Sequence, residues 1–145
     1  MIIFELNQER LHGAERIPKI LLNQIEKEVS EALNVKKTKH ISVAFVSEKE
    51  MKKLNFEYRG SNRVTDVLSF ELDTPESFGE VILNYEQAKR QAKEMKHSIR
   101  KELVFLLVHG CLHVFGFDHE KEADAKKMFP QQSEILKRLG VNPKI

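Results

Sequence analysis

The chain has 145 residues, 24 Lys and Arg against 22 Asp and Glu, and 41% hydrophobic residues. That length suits one domain with a real core, spanning residues 1–145, and a net charge of +2 is too small to announce a nucleic-acid binder by bulk charge alone. The longest apolar run, Leu103 to Val108, is too short for a bilayer, the opening MIIFELNQER lacks the basic and apolar regions of a signal peptide, and a single cysteine excludes an internal disulfide, so the expectation is a cytoplasmic protein with no membrane contact.

In chain order, Ile2 to Leu6 reads as a first strand. Pro18 stands where a helix can begin, and Leu22, Ile25, Val29 and Leu33 recur at helical spacing after it. His40 to Val46 is rich in β-formers and reads as a second strand. Ser47 to Glu50 has the form of a capping box, which predicts a short helix to about Phe56. Residues 57–66 carry turn chemistry at Gly60, Ser61 and Asn62. Val67 to Leu72 alternates, placing Leu68, Phe70 and Leu72 on one face of a third strand. Asp73 to Ser77 reads as a loop, Gly79 to Leu83 as a fourth strand, and Tyr85 to Lys96 as a polar helix. Ser98 is an N-cap and Gly116 a C-terminal stop for the next helix. Leu103 to Val108 makes that helix apolar on all sides, the mark of a central, buried one. Glu120 to Leu139 is helical in pattern, with a break or kink expected at Pro130. The fold class that follows is α+β: a small mixed sheet of about four strands packed with helices.

Three of the six histidines, His109, His113 and His119, fall within the eleven residues HGCLHVFGFDH. An even spread would place about half of one there. Four residues turn a helix by roughly 400° and raise it ~6 Å, so His109 and His113 share a face. Gly116 then lets the chain turn back and bring His119 to the same point. Three neutral imidazoles with an open fourth position fit a catalytic zinc site, one ion per chain, although imidazole suits nickel and iron as well. Cys111 lies roughly 200° from His109 around the helix and is excluded as a ligand. His12, His40 and His97 stand apart from the cluster and are expected at the surface.

The spacing of the three histidines and Gly116 matches the long motif of the metzincin proteases, with one difference. Those enzymes carry a glutamate, their general base, after the first histidine. This chain has Gly110 there, which argues against a peptidase and is read as the mark of a site for phosphoryl chemistry, with glycine allowing close approach of backbone or substrate to the ion. Asp118 and Glu120 are either substitute bases or partners of a ligand histidine, or simply turn and helix-start acids.

HGCLHVFGFDH resembles the His-Gly-x-Leu-His-Leu-x-Gly-Tyr-Asp-His signature of the YbeY family, metal-dependent endoribonucleases of bacteria and organelles. LNFEYRGSNRVTDVLSF, residues 54–70, is similar to that family's Leu-Asn-x-x-Tyr-Arg stretch and the Thr-Asp-Val-Leu-Ser-Phe that follows it. GEVILN and MFPQQSEIL resemble its Gly-Asp/Glu-Ile strand and its C-terminal helix. Val114 and Phe117 replace Leu and Tyr, and Pro130 stands where the family usually continues a helix. The resemblance implies a zincin-like metal site on the central helix, with His109, His113 and His119 as zinc ligands. It implies a functional arginine at Arg59, and a role in maturing the 3′ end of small-subunit ribosomal RNA and in ribosome quality control.

The expected activity is therefore a zinc-dependent endoribonuclease that prefers single strands. In that reading His113 and Arg59 are catalytic, the planar fork of Arg59 holds a phosphate oxygen, and Arg63 and Lys93 add contacts to RNA. Lys93 belongs to residues 84–101, which hold six Lys and Arg against two Glu. The precursor of ribosomal RNA is the expected substrate, with the ribosome or its proteins as further partners. Two other readings stay open: a zinc peptidase or other hydrolase, and a ribosome assembly factor whose metal is mainly structural.

Overall fold

The computed structural model describes residues 1–72 and 74–142. The elements are β1 (Ile2–Asn7), α1 (Lys19–Ala32), β2 (Lys39–Val46), α2 (Glu48–Arg59), β3 (Val67–Glu71), β4 (Gly79–Asn84), α3 (Tyr85–Met95), α4 (Ile99–Val114) and α5 (Glu122–Arg138), with one 3-10 turn at Gly13–Glu15. The sheet order is β1-β2-β4-β3. β1, β2 and β4 run parallel, and β3 pairs antiparallel to β4 with Ser69 opposite Val81. This is the α+β class with a four-stranded mixed sheet. Among the described residues no helix is long and apolar enough to cross a membrane.

β4 lies inside the sheet and is apolar on both faces. Val81 and Leu83 join the main core, while Ile82 joins a smaller one with Met51 of α2 and Leu68 of β3. The two faces therefore carry different helices. α4 packs on β3 and β4 from the main-core side and also meets α1, α3 and α5. That central place explains why its sequence is apolar all round. Leu103, Leu106, Leu107 and Leu112 are buried to 1% exposure or less, and each such side chain contributes about 1.5–3 kcal/mol of transfer free energy. Ser98 caps α4 by accepting from Lys101 N.

β1 forms one edge of the sheet, and two of its outward N–H groups are already used. Ile2 N donates to Ser30 Oγ and Phe4 N to Glu26 Oε2, both at 2.8 Å and both from α1.

Four sequence expectations need correction. α2 continues past Phe56 to Arg59, so Tyr58 and Arg59 are helical; the stop is Gly60, whose φ of 68° suits glycine. β3 ends at Glu71, which leaves Leu72 outside the strand and 44% exposed, while Leu68 and Phe70 share the α2 face as expected. α5 starts at Glu122 and runs unbroken through Pro130. Met128, Gln132, Ile135 and Leu136 bury one of its faces on both sides of the proline, and that packing holds the helix where a backbone donor is missing. His97 is not a surface histidine. The chain turns back at Lys96 in the left-handed conformation, and the His97 side chain, 11% exposed, sets Nε2 2.9 Å from Oε1 of the fully buried Glu102. His12 is exposed and His40 half-exposed. Within the expected loop at 73–77, Thr74 N donates to Ser77 O; Asp73 lies outside the described residues.

Candidate functional site

The C-terminal end of α4 sets two histidines on one helical face and glycine on another. Gly110 faces the sheet. Its carbonyl accepts from Ser69 Oγ at 2.9 Å, and a Cβ added there would lie 2.7 Å from Val81 Cγ1 and 3.0 Å from Val67 Cγ2. The close approach that this glycine permits is therefore between helix and sheet, not between substrate and ion. A glutamate at this position would have to enter the core, so the absence of the protease base is a packing fact before it is a chemical one.

α4 ends in a Schellman turn. Phe117 N donates to Leu112 O and Gly116 N to His113 O, with Gly116 at φ +92°. The chain reverses there and returns His119 to the helix end. The ring centroids of His109, His113 and His119 are 4.7, 5.2 and 5.3 Å apart in pairs. One nitrogen from each ring lies within 4.8 Å of the others, a group that could hold a metal ion.

α5 orients the trio. Nδ1 of His109 donates to Oε1 of Gln132 at 2.7 Å, which fixes the tautomer and leaves Nε2 as the free lone pair. That Nε2 is 3.2 Å from His113 Nε2. Two nitrogens bound tetrahedrally at ~2.0–2.1 Å from zinc would be about 3.3 Å apart, so the spacing of this pair fits such an ion. Gln132 is 1% exposed. Phe129, one turn earlier on α5, stacks on the exposed ring of His119 with centroids 5.6 Å apart, and Phe105 stacks on His109.

Burial pushes His109 down to about 4 from an ordinary 6.5, against the opposing pull of its bond to Gln132. Burial, then the neighbouring His119, also lowers His113. Both rings are therefore neutral near pH 7, the state a metal requires of imidazole. Cys111 is fully buried in the core, and burial raises its thiol to about 12, in keeping with its exclusion as a ligand. Asp118 accepts from the backbone N–H of His119 at 2.7 Å. That bond holds its carboxyl below the usual range, which suits a turn acid better than a base.

The three histidines open onto a cleft of about 1350 Å³ that runs along the free edge of β3. Asn84 N donates to Asp66 O and Leu72 N to Phe78 O, so alternation turns the backbone of Ser69 outward to that edge. Arg59, in the last turn of α2, donates from Nη2 to Ser69 O at 3.0 Å. Arg63 also lines the cleft, and its carbonyl is pinned by the buried Asn55. The fold thus brings Arg59 and Arg63 to the same cleft as the histidines. Lys93 is exposed on α3 and is not among the residues lining it. Sequence reasoning missed Gln132 and Phe129. Their spacing of three on an amphipathic helix was visible, but not which face of α5 would meet α4.

Comparisons with known proteins agree with this geometry. The family model described as Endoribonuclease YbeY matches residues 4–140. The chain is 40% identical over 133 residues to Endoribonuclease YbeY of Geobacillus thermodenitrificans, covering 83% of this chain and 85% of that one. It is 39% identical over 143 residues to the protein of the same name from Bacillus licheniformis, covering 88% and 90%. A Thermotoga maritima protein solved in solution superposes with a TM-score of 0.61 at 31% identity, over 96% of this chain and 89% of that one.

Proposed function

The chain belongs to the YbeY endoribonuclease family, and from that premise we propose that it is a metal-dependent endoribonuclease whose ion is zinc and whose substrate is the single-stranded part of a ribosomal RNA precursor. The observation that carries this reading is the meeting of three imidazole nitrogens and Arg59 in one cleft. His109, His113 and His119 hold the ion, one per chain. Zinc in such a site supplies Lewis-acid contact to a phosphoryl oxygen and lowers the pKa of water to about 7.

The protein's own residues do the rest. Gln132 keeps Nε2 of His109 aimed at the ion, and burial keeps His109 and His113 unprotonated. Arg59 leans on Ser69 O with one donor and offers the remaining donors of its fork to a phosphate oxygen. RNA brings its own 2′-OH beside the scissile phosphate, a nucleophile that needs no positioning by the protein; Asp118 is engaged by the backbone and is a poor base, so the hydroxyl proton passes to water in the open cleft. Arg63 takes a neighbouring phosphate. Lys93, away from the cleft, would reach only a strand that extends beyond it. The ribosome or its proteins present the substrate, in the cytoplasm. A peptidase reading is disfavoured by Gly110, which leaves no room for the protease glutamate, and by Arg59, which occupies a backbone carbonyl that a strand-like peptide would need.

The test joins metal analysis to single-turnover cleavage of a structured RNA. Arg59→Ala should retain metal and lose cleavage by roughly 10²–10³-fold, the usual effect of removing one donor to developing charge. His113→Ala should lose both metal and cleavage. Peptide hydrolysis that rises with metal content, with no RNA cleaved, would sink the proposal.

A further inference from the structure

Tyr58 is 63% exposed at the end of α2, beside Val64 at 38% and Leu72 at 44%, and all three line the cleft that holds the histidines. The Tyr58 ring packs on Phe70 in a T-shaped pair, with centroids 5.3 Å apart at 67°. Its hydroxyl has no hydrogen-bond partner among the described residues. The fold gains little from an aromatic ring placed this way, since most of its surface remains in water.

The charge of the cleft narrows what the ring is for. Arg59 and Arg63 face five carboxylates in its lining: Asp66, Glu71, Glu80, Asp118 and Glu120. A polyanion is therefore not held there by a general positive field, and only the ion and two guanidinium groups attract phosphate. Binding must draw on neutral contacts, and the neutral part of an RNA strand is its bases. Tyr58 and Arg59 are adjacent residues, their Cα atoms ~3.8 Å apart, and the Arg59 guanidinium lies 5.9 Å from the centre of the Phe70 ring. One nucleotide can then set its phosphate on the arginine and its base on the tyrosine.

We infer that Tyr58, backed by Phe70, is a stacking platform for one unpaired nucleobase of the RNA strand whose phosphate sits on Arg59. The inference rests on the endoribonuclease reading and gives that reading a source of strand preference. A base held in a duplex is already stacked on both faces and cannot be laid on the ring without being pulled out.

The experiment uses an oligoribonucleotide with a single cleavage site and an abasic residue moved through it one position at a time. Half-saturation in single-turnover cleavage is measured for the wild-type protein, Tyr58→Phe and Tyr58→Ala, each with metal content verified. With wild type, one abasic position near the scissile phosphate should raise half-saturation by roughly 5- to 150-fold, the range base–aromatic stacking spans. Tyr58→Ala should show that loss on intact RNA and none further at the abasic position, while Tyr58→Phe should behave as wild type. A merely structural role for the ring would not make its effect vanish at one abasic site. The inference is overturned if Tyr58→Ala saturates with intact RNA as wild type does, if Tyr58→Phe is as impaired as Tyr58→Ala, or if the abasic penalty persists in Tyr58→Ala. Wild-type cleavage that no abasic position affects defeats the platform alone. Failure of the metal-loaded wild-type protein to cleave any RNA defeats the nuclease reading and the platform with it.

Discussion

Gln132 decides how well the metal site is made. Its Oε1 fixes the tautomer of His109, while its Nε2 is buried without a hydrogen-bond partner among the described residues. What matters is an acceptor at that point, so a carboxylate should serve as well as an amide. Gln132→Met should weaken metal binding about 10–100-fold, and Gln132→Glu should restore it, as measured by competition with a chelator of known affinity. If the residue served packing alone, the buried charge of Gln132→Glu would make it the worse of the two. The histidine trio was legible in the sequence because its spacing is local: one helical turn, a glycine stop, a short return. Gln132, separated from His109 by the site's return loop and half of α5, becomes a partner only once two helices dock.

The same contrast holds among the elements. The start and end of α4 could be read from Ser98 and Gly116, whose capping roles are written in neighbouring residues. The end of α2 could not, because Glu57, Tyr58 and Arg59 precede obvious turn residues and have no periodicity of their own. Pro130 misled for a related reason: a local rule gave way to the packing of Met128, Gln132, Ile135 and Leu136. Gly110 shows an element-level constraint most clearly, since its missing side chain sets how closely α4 approaches β3 and β4. Gly110→Ala should push the helix off the sheet and lower stability by about 1–3 kcal/mol, visible as a drop in Tm. Gly110→Glu should be more damaging still and confer no peptidase activity, because its side chain points to Val81 and Val67 rather than to the ion.

For the molecule as a whole, the fold class and the number of strands followed from hydrophobic patterning. The strand order did not, since β4 inserts between β2 and β3 by pairings that no local signal records. Stability as a whole should carry the mark of the metal site. The folded, metal-free protein keeps His109 neutral down to about 4, whereas the unfolded chain takes up that proton near 6.5. The unfolded state therefore binds more protons between those values, and stability must fall as pH drops through the window, by on the order of 3 kcal/mol for this group. Urea unfolding in the presence of a chelator at pH 7 and at pH 4.5 should show the loss, and saturating metal at pH 7 should add to stability by favouring the folded form.

Each margin of the sheet is covered in part by the protein's own side chains: Ser30 and Glu26 at Ile2 and Phe4 on one side, Arg59 at Ser69 on the other. Such covers keep a stray strand from another molecule from zipping on and seeding aggregates. On the second margin the guard is Arg59, the same residue proposed to hold phosphate. Because one Arg59 donor rests on Ser69 O while the others are free for RNA, that stretch of the margin would stay shut both at rest and at work.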